Sequence, residues 1–366
     1  MSYPYRFYAV VIPGLEDIAM KELEQLSAHE IQKDNGGVHF SGTMDTMFRV
    51  NIRSRCITRV LLRLKRFTAM SLNDIREKTQ QVEWARFLNA NVSLRVHVSC
   101  HASKLMHTAK IEAEICEAIK KSGVSLNSEN NTQQVFIRIE NNRCLLSIDT
   151  SGERLDRRGY RLEGGKAPLR ETLAAGILQW MAWTPAETLM VPMCGSGTFA
   201  IEAAIAATHQ PPGLGHAFAF LAWPQLKQKA WERVLKRART MVRNIDFLPV
   251  YASDINQDAI EITKRNAQRA NVEKLISIEQ KDVKKLSKPE RDEPGLIICN
   301  PPYGQRIDTN VRGLYAALGK LYQRDYRDWR MAVFSPERAC EQALGLPVKR
   351  RLKVKHGGQW MYILHI

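Results

Sequence analysis

Apolar positions recur along the chain with two periods, and a change in how they alternate divides the chain in two. Residues 5–12 form a β-rich run that stops at Pro13-Gly14. Leu15, Ile18, Ala19, Leu23 and Leu26 then fall on one face at helical spacing, which predicts an amphipathic helix. Gly36-Gly37 interrupts the chain before a short strand over 38–40. Residues 93–100 alternate as a strand does, with Leu94, Val96 and Val98 on one side, and Ile111, Ile115 and Ile119 mark a helix over 107–121. Strand patterns at 135–139 and 144–148 flank Glu140-Asn141-Asn142-Arg143, which reads as a hairpin. These elements compose an α+β module that ends near Asp149.

Residues 151–169 are polar and glycine-rich, and beyond them the pattern changes. Helices are predicted over 170–183, 197–207, 257–270 and 313–326, and strands over 188–191, 250–253, 276–279, 295–299, 331–334 and 360–366. Strands alternating with helices predict an α/β fold, a mostly parallel sheet covered on both faces. The length of 366 residues exceeds what one core usually supports, so more than one domain is expected. Neither an internal repeat nor a low-complexity tract is present.

Charge narrows the partners. There are 54 basic against 38 acidic residues, a formal net charge of +16 and a pI of about 9.6, with a mean hydropathy of -0.32. Such an excess suits a polyanion, because each phosphate neutralised releases counterions. Residues 46–73 hold no acid but carry Arg49, Arg53, Arg55, Arg59, Arg63, Lys65 and Arg66, either a solvated face or a phosphate-binding one. The seven cysteines are scattered and never spaced C-x-x-C, which excludes a disulfide framework and a zinc site and suits a reducing compartment. No apolar run approaches the roughly 20 residues of a membrane span, and no secretion signal is visible. A cytoplasmic protein is expected, with no metal and no obligate protein partner.

The candidate chemistry follows the strands of the second half, where a doubly wound sheet binds its ligands. Pro192-Met193-Cys194-Gly195-Ser196-Gly197-Thr198 joins a strand to a helix, and its glycines let a ligand approach the backbone. Ala200 stands where a dinucleotide fingerprint has its third glycine, a tolerated variant, so this loop alone leaves NAD open. Asp254 ends the next strand and suits two ribose hydroxyls, with helix capping as the competing role. The gap from Gly197 to Asp254 far exceeds the roughly 20 residues of a dinucleotide fold, which predicts an inserted helical segment over 211–244. Asp282 follows a third strand, where it could bind an exocyclic adenine amino group.

Asn300-Pro301-Pro302-Tyr303 follows the strand over 296–299. The prolines fix φ and remove two donors, leaving carbonyls free to accept. An Asn side chain beside such a carbonyl can hold the amino group of a flipped base, and Tyr303 offers that base a stacking face. Cys194 and Cys299 raise the possibility of cysteine-dependent methylation of pyrimidine carbon, but a small buried hydrophobe is the expected role of each.

Asn300-Pro301-Pro302-Tyr303 is similar to the N/D-P-P-Y motif of class I amino-group methyltransferases. Residues 192–198 resemble the cofactor loop of RNA methyltransferases that carry a THUMP domain. Gly14-Leu15-Glu16, residues 36–40, residues 51–55 and Arg158-Gly159-Tyr160-Arg161 extend the likeness over essentially the whole chain. The family resembled is the bacterial large-subunit (23S) rRNA guanine-N2 methyltransferase family, in its single-methyltransferase form. The resemblance implies a ferredoxin-like segment over 1–60, a THUMP RNA-binding domain over 61–155 and a Rossmann-like class I methyltransferase domain over 156–366. It further implies S-adenosylmethionine as cofactor, held by Pro192, Cys194, Gly195, Gly197, Thr198, Asp254, Asp282 and Asn300. Catalysis would fall to Asn300, Pro301, Pro302 and Tyr303. RNA, 23S rRNA or a ribosomal assembly intermediate, would meet Arg53, Arg55, Arg59, Arg158, Tyr160 and Arg161. Val191 departs from the family's Asp, which leaves open weaker cofactor binding or substitution by Glu171 or Glu202. The rival readings are a tRNA guanine-N2 or DNA adenine-N6 methyltransferase, and a catalytically decayed RNA-binding protein.

Overall fold

The structure, a computed structural model, describes residues 4–127, 132–162, 169–290, 293–302 and 311–366. Its first elements are β1 (Tyr5–Val11), α1 (Glu16–Gln25), β2 (His29–Asp34), β3 (Gly37–Gly42), α2 (Met44–Arg53) and β4 (Ile57–Thr68). They continue through α3 (Leu72–Gln80), β5 (Asn91–His101), α4 (Thr108–Lys121), β6 (Ser125–Asn127), β7 (Thr132–Glu140) and β8 (Arg143–Asp149). All eight strands join one sheet, in the order β2-β3-β1-β4-β8-β7-β5-β6. The expected hairpin is present: Glu140 pairs with Arg143 across Asn141 and Asn142, both left-handed, as a tight two-residue turn requires.

In that sheet β4 is interior, paired with β1 on one side and β8 on the other. The acid-free arginine run therefore lies largely inside a sheet, and it crosses the 60/61 boundary expected between the first two domains. Arginine on such a strand needs a partner, since a buried charge is costly when unpaired. Arg59 forms an ion pair with Asp149 and donates to the Gly152 carbonyl (2.9 Å). Arg63 donates to Ser147 Oγ (2.9 Å), lies 4.4 Å from the Tyr8 ring centroid, and is lowered to about 10 by burial.

The second half begins with α5 (Glu171–Trp180), β9 (Leu189–Pro192), α6 (Thr198–Ala207), α7 (Gln228–Thr240) and β10 (Val250–Asp254). It then adds α8 (Gln257–Arg269), β11 (Ile276–Gln280), β12 (Leu296–Cys299) and α9 (Val311–Asp325). The last elements are β13 (Arg330–Ser335), α10 (Arg338–Leu344), β14 (Arg350–His356) and β15 (Gln359–His365). The sheet runs β11-β10-β9-β12-β13-β15-β14, parallel from β11 to β13, with β15 antiparallel to both its neighbours. From β9 the chain moves outward through β10 to β11, then returns to the other side of β9 for β12. That reversal opens a crevice at the carboxyl ends of β9 and β12.

Two compact units result, and their sequences interleave. One comprises residues 1–11, 20–155 and 215–237, the other residues 12–19, 156–214 and 238–366. The insertion expected between β9 and β10 thus contributes α7 residues to the first unit.

Candidate functional site

The loop after β9 bends through left-handed Met193 (φ 54°), Gly195 (φ 57°) and Gly197 (φ 80°). It is pinned by backbone bonds from Cys194 to the Ser253 carbonyl and from Gly197 to the Cys194 carbonyl, each 2.9 Å. Polar groups of α8 hold it from beneath. Thr263 Oγ1 donates to the Gly195 carbonyl (2.9 Å) and Asn266 Nδ2 to the Ser196 carbonyl (3.1 Å). Thr198 opens α6 and shares a 3.3 Å hydroxyl contact with Ser196. The two glycines answer different needs. A Cβ on Gly197 would lie 2.6 Å from Thr263 Cγ2, whereas one on Gly195 would meet nothing within 4 Å. Gly195 therefore borders open space.

Asp254 ends β10 beside this loop, its Oδ2 accepting from the Gly195 N–H and its Oδ1 from the Asn256 N–H, each 3.0 Å. The cap of α8 is Asn256, which accepts from the Asp258 N–H (2.8 Å), so capping is not Asp254's role. The next side chain, Ile255, is 64% exposed, an apolar surface directly beside the carboxylate. Asp282 follows β11 and accepts from the Lys284 N–H (2.9 Å), while the Lys281 N–H donates to the Asp254 carbonyl (2.9 Å). The ends of β9, β10 and β11 are thus laced together.

Asn300 lies at the end of β12, and its Oδ1 is buried with no hydrogen-bond partner among the described residues. Pro301, buried, and Pro302, half-buried, carry no backbone N–H, so neither can satisfy that oxygen. Tyr303 lies outside the described residues. Burial pushes the Cys194 and Cys299 thiols up to about 12, which keeps both protonated and unsuited to nucleophilic catalysis. Among the described residues no cluster of His, Cys, Asp or Glu could hold a metal, and no helix is long and apolar enough to cross a membrane.

The residues expected to meet RNA fall elsewhere. Arg158 and Tyr160 are buried about Glu202, whose Oε1 accepts from the Tyr160 hydroxyl (3.1 Å) and lies 3.6 Å from Arg158 Nε. Arg161 pairs with Glu171 Oε2 (3.0 Å), and burial raises the Glu171 carboxyl to about 7. These three are engaged by acids of the fold, as is Arg59 in its pair with Asp149. The expectation is corrected for all four: the three arginines pair with acids inside the fold, and the Tyr160 hydroxyl hydrogen-bonds one of them. The same pairing occupies Glu171 and Glu202, the acids expected to replace the missing aspartate, while Val191 is a buried strand residue. Arg53 and Arg55 are half-buried. Arg55 donates its backbone N–H to Glu22 Oε1 (2.7 Å), and Arg53 feels the repulsion of Arg237.

Comparison with known proteins draws on the whole chain. Residues 158–361 match the RMKL-like methyltransferase domain, residues 6–61 the RlmL ferredoxin-like domain, and residues 69–149 the THUMP domain. The chain belongs to the RMKL-like methyltransferase family. It is 32% identical to "Putative RNA methyltransferase slr0064" of Synechocystis sp. over 364 residues, 96% of this chain and 94% of that one. Two crystal structures are similar throughout. SMU.472, "a putative methyltransferase complexed with SAH", has a TM-score of 0.91 at 26% identity, covering 100% of this chain and 98% of that one. A "predicted N6-adenine-specific DNA methylase from Listeria monocytogenes str. 4b F2365" has a TM-score of 0.89 at 29% identity, covering 98% and 95%.

In this RMKL-like methyltransferase the sequence reading missed Thr263, Asn266 and Ile255. The first two lie on a helix whose polar residues carry no motif. Their signal was two polar side chains, three apart, on one helix face, both of which turn out to be fully buried. Ile255 was legible in principle as an apolar residue directly after the strand-ending acid.

Proposed function

We propose that this methyltransferase transfers the methyl group of S-adenosylmethionine to an exocyclic base amino group in RNA, guanine N2 of large-subunit rRNA being the favoured target. The observation that carries the reading is Asn300 Oδ1, an acceptor buried without a partner at the switch point of the sheet. An unmet buried acceptor costs about 1–3 kcal/mol, and a base amino group would meet it. Pro301 supplies a neighbouring carbonyl as second acceptor, and Tyr303 is the stacking residue by its place in the motif.

The residues beside Asn300 fit the cofactor. Gly195 leaves backbone and open space for its approach, Asp254 keeps lone pairs for ribose hydroxyls, Ile255 offers an apolar face for adenine, and Asp282 suits its amino group. With the cofactor bound, its sulfonium would supply an already activated methyl group and depart as a neutral thioether. Asn300 and Pro301 hold both amino hydrogens so that the nitrogen lone pair points at that carbon. The amino proton displaced from nitrogen would pass first to the acceptor that holds it, Asn300 Oδ1 or the Pro301 carbonyl. Positioning is the main task, for which effective molarity supplies about 7–11 kcal/mol.

The THUMP match, the Synechocystis relative and the charge of +16 support RNA. A DNA adenine-N6 activity is the second reading, favoured by the Listeria neighbour. Replacing Asn300 with Ala tests the central role. Cofactor and RNA binding should stay within a few-fold, and single-turnover transfer should fall by about two orders of magnitude or more, the scale of a lost orienting contact. A near-normal transfer rate would remove Asn300 from the chemistry.

A further inference from the structure

We infer that the outer face of the β14–β15 hairpin, Lys353 and Lys355 facing Trp360 and Tyr362, is a stacking platform for single-stranded RNA flanking the target base. The inference rests on the RNA reading above. The hairpin turns at Gly357 (φ 58°) and Gly358 (φ 84°), a two-residue connection that both left-handed glycines permit. Its register pairs Lys355 with Trp360 and Lys353 with Tyr362, and Lys353 Nζ lies 4.9 Å from the Trp360 ring centroid.

Position decides what this face can do. Because β15 is antiparallel to both β13 and β14, β14 runs parallel to β13 and β12. Its carboxyl end therefore lies on the sheet edge that carries Asn300 and Gly195. Trp360 and Tyr362 share a face of β15 with Leu364 and Ile366, which pack in a core with Tyr322 of α9 and Leu344 of α10. The two aromatics continue that row beyond its helical cover, 49% and 40% exposed. The outer edge of β14 is closed, since the Lys355 N–H donates to the Pro13 carbonyl (3.1 Å). A Cβ on Gly14 would lie 1.9 Å from the Lys353 carbonyl, so the contact needs glycine. What stays open is the aromatic face, not the backbone edge.

The occupant follows from charge. Residues 342–366 contain no acid and five cations, and Arg351 is already paired with Glu341. Lysines interleaved with exposed aromatics suit splayed bases on a phosphate backbone, whereas a duplex hides its base faces.

Binding of a 12-nucleotide oligouridylate and a 12-base-pair RNA duplex by the full chain, followed by fluorescence anisotropy, tests this. Trp360→Ala with Tyr362→Ala should weaken the single strand by about 30-fold or more and the duplex far less. Trp360→Phe should retain most of the affinity. Lys353→Gln with Lys355→Gln should flatten the log–log salt slope by about 1.4, at about 0.7 per single-strand contact. Unchanged affinity and slope in both double variants, beside a wild type that binds, would overturn the platform and leave the RNA reading standing. A wild type that binds S-adenosylmethionine but neither RNA would overturn both.

Discussion

Arg59 and Asp149 form an ion pair inside the first sheet, where Asp149 is fully buried and Arg59 half-buried. Removing one partner of such a pair strands the other charge in a medium that cannot solvate it. Arg59→Met should therefore destabilise the chain by about 3–5 kcal/mol, read by urea unfolding. A surface arginine that met only phosphate would change stability by about 0.5 kcal/mol or less, and such a result would return Arg59 to the RNA-facing set. The arginine run was visible in sequence, but its direction was not. Ile57, Val60, Leu61 and Leu62 mark β4 as buried, yet the interspersed cations read equally well as a solvated face. Their partners, Asp149 and Ser147, lie more than eighty residues away, beyond any local pattern.

At the level of elements, the loop between β9 and α6 was legible because its chemistry is local. Glycines at 195 and 197 announce backbone turns, and both adopt them. Gly197→Ala combines a left-handed backbone, costing about 1–2 kcal/mol, with a clash against Thr263. Calorimetric titration should find S-adenosylmethionine binding weakened at least 10-fold, which Thr263→Ser should partly restore by removing the obstructing methyl group. Unchanged affinity in Gly197→Ala would mean that the loop does not shape the cofactor site. By contrast β14 escaped the sequence reading, since Arg350, Arg351, Lys353 and Lys355 mask the alternation of Leu352, Val354 and His356. The strand is stabilised by pairing with its hairpin neighbour β15 and by the Pro13–Gly14 segment, which is remote in sequence.

Across the whole molecule, the change from an α+β to an alternating α/β pattern marked the two halves. It did not mark the exchange of residues 12–19 and 215–237 between the compact units, which depends on packing alone. The proposed reaction, transfer of a methyl group to a base amino group in RNA, draws on both halves. The most direct measurement uses the purified full chain, S-adenosylmethionine with a labelled methyl group, and ribosomal RNA from a strain lacking the chain. The RNA is digested and its nucleosides are resolved by mass spectrometry. We expect label in N2-methylguanosine, abolished in the Asn300→Ala enzyme. Label confined to a methylated pyrimidine carbon, or none in RNA beside labelled N6-methyladenine in a DNA control, would contradict the proposal.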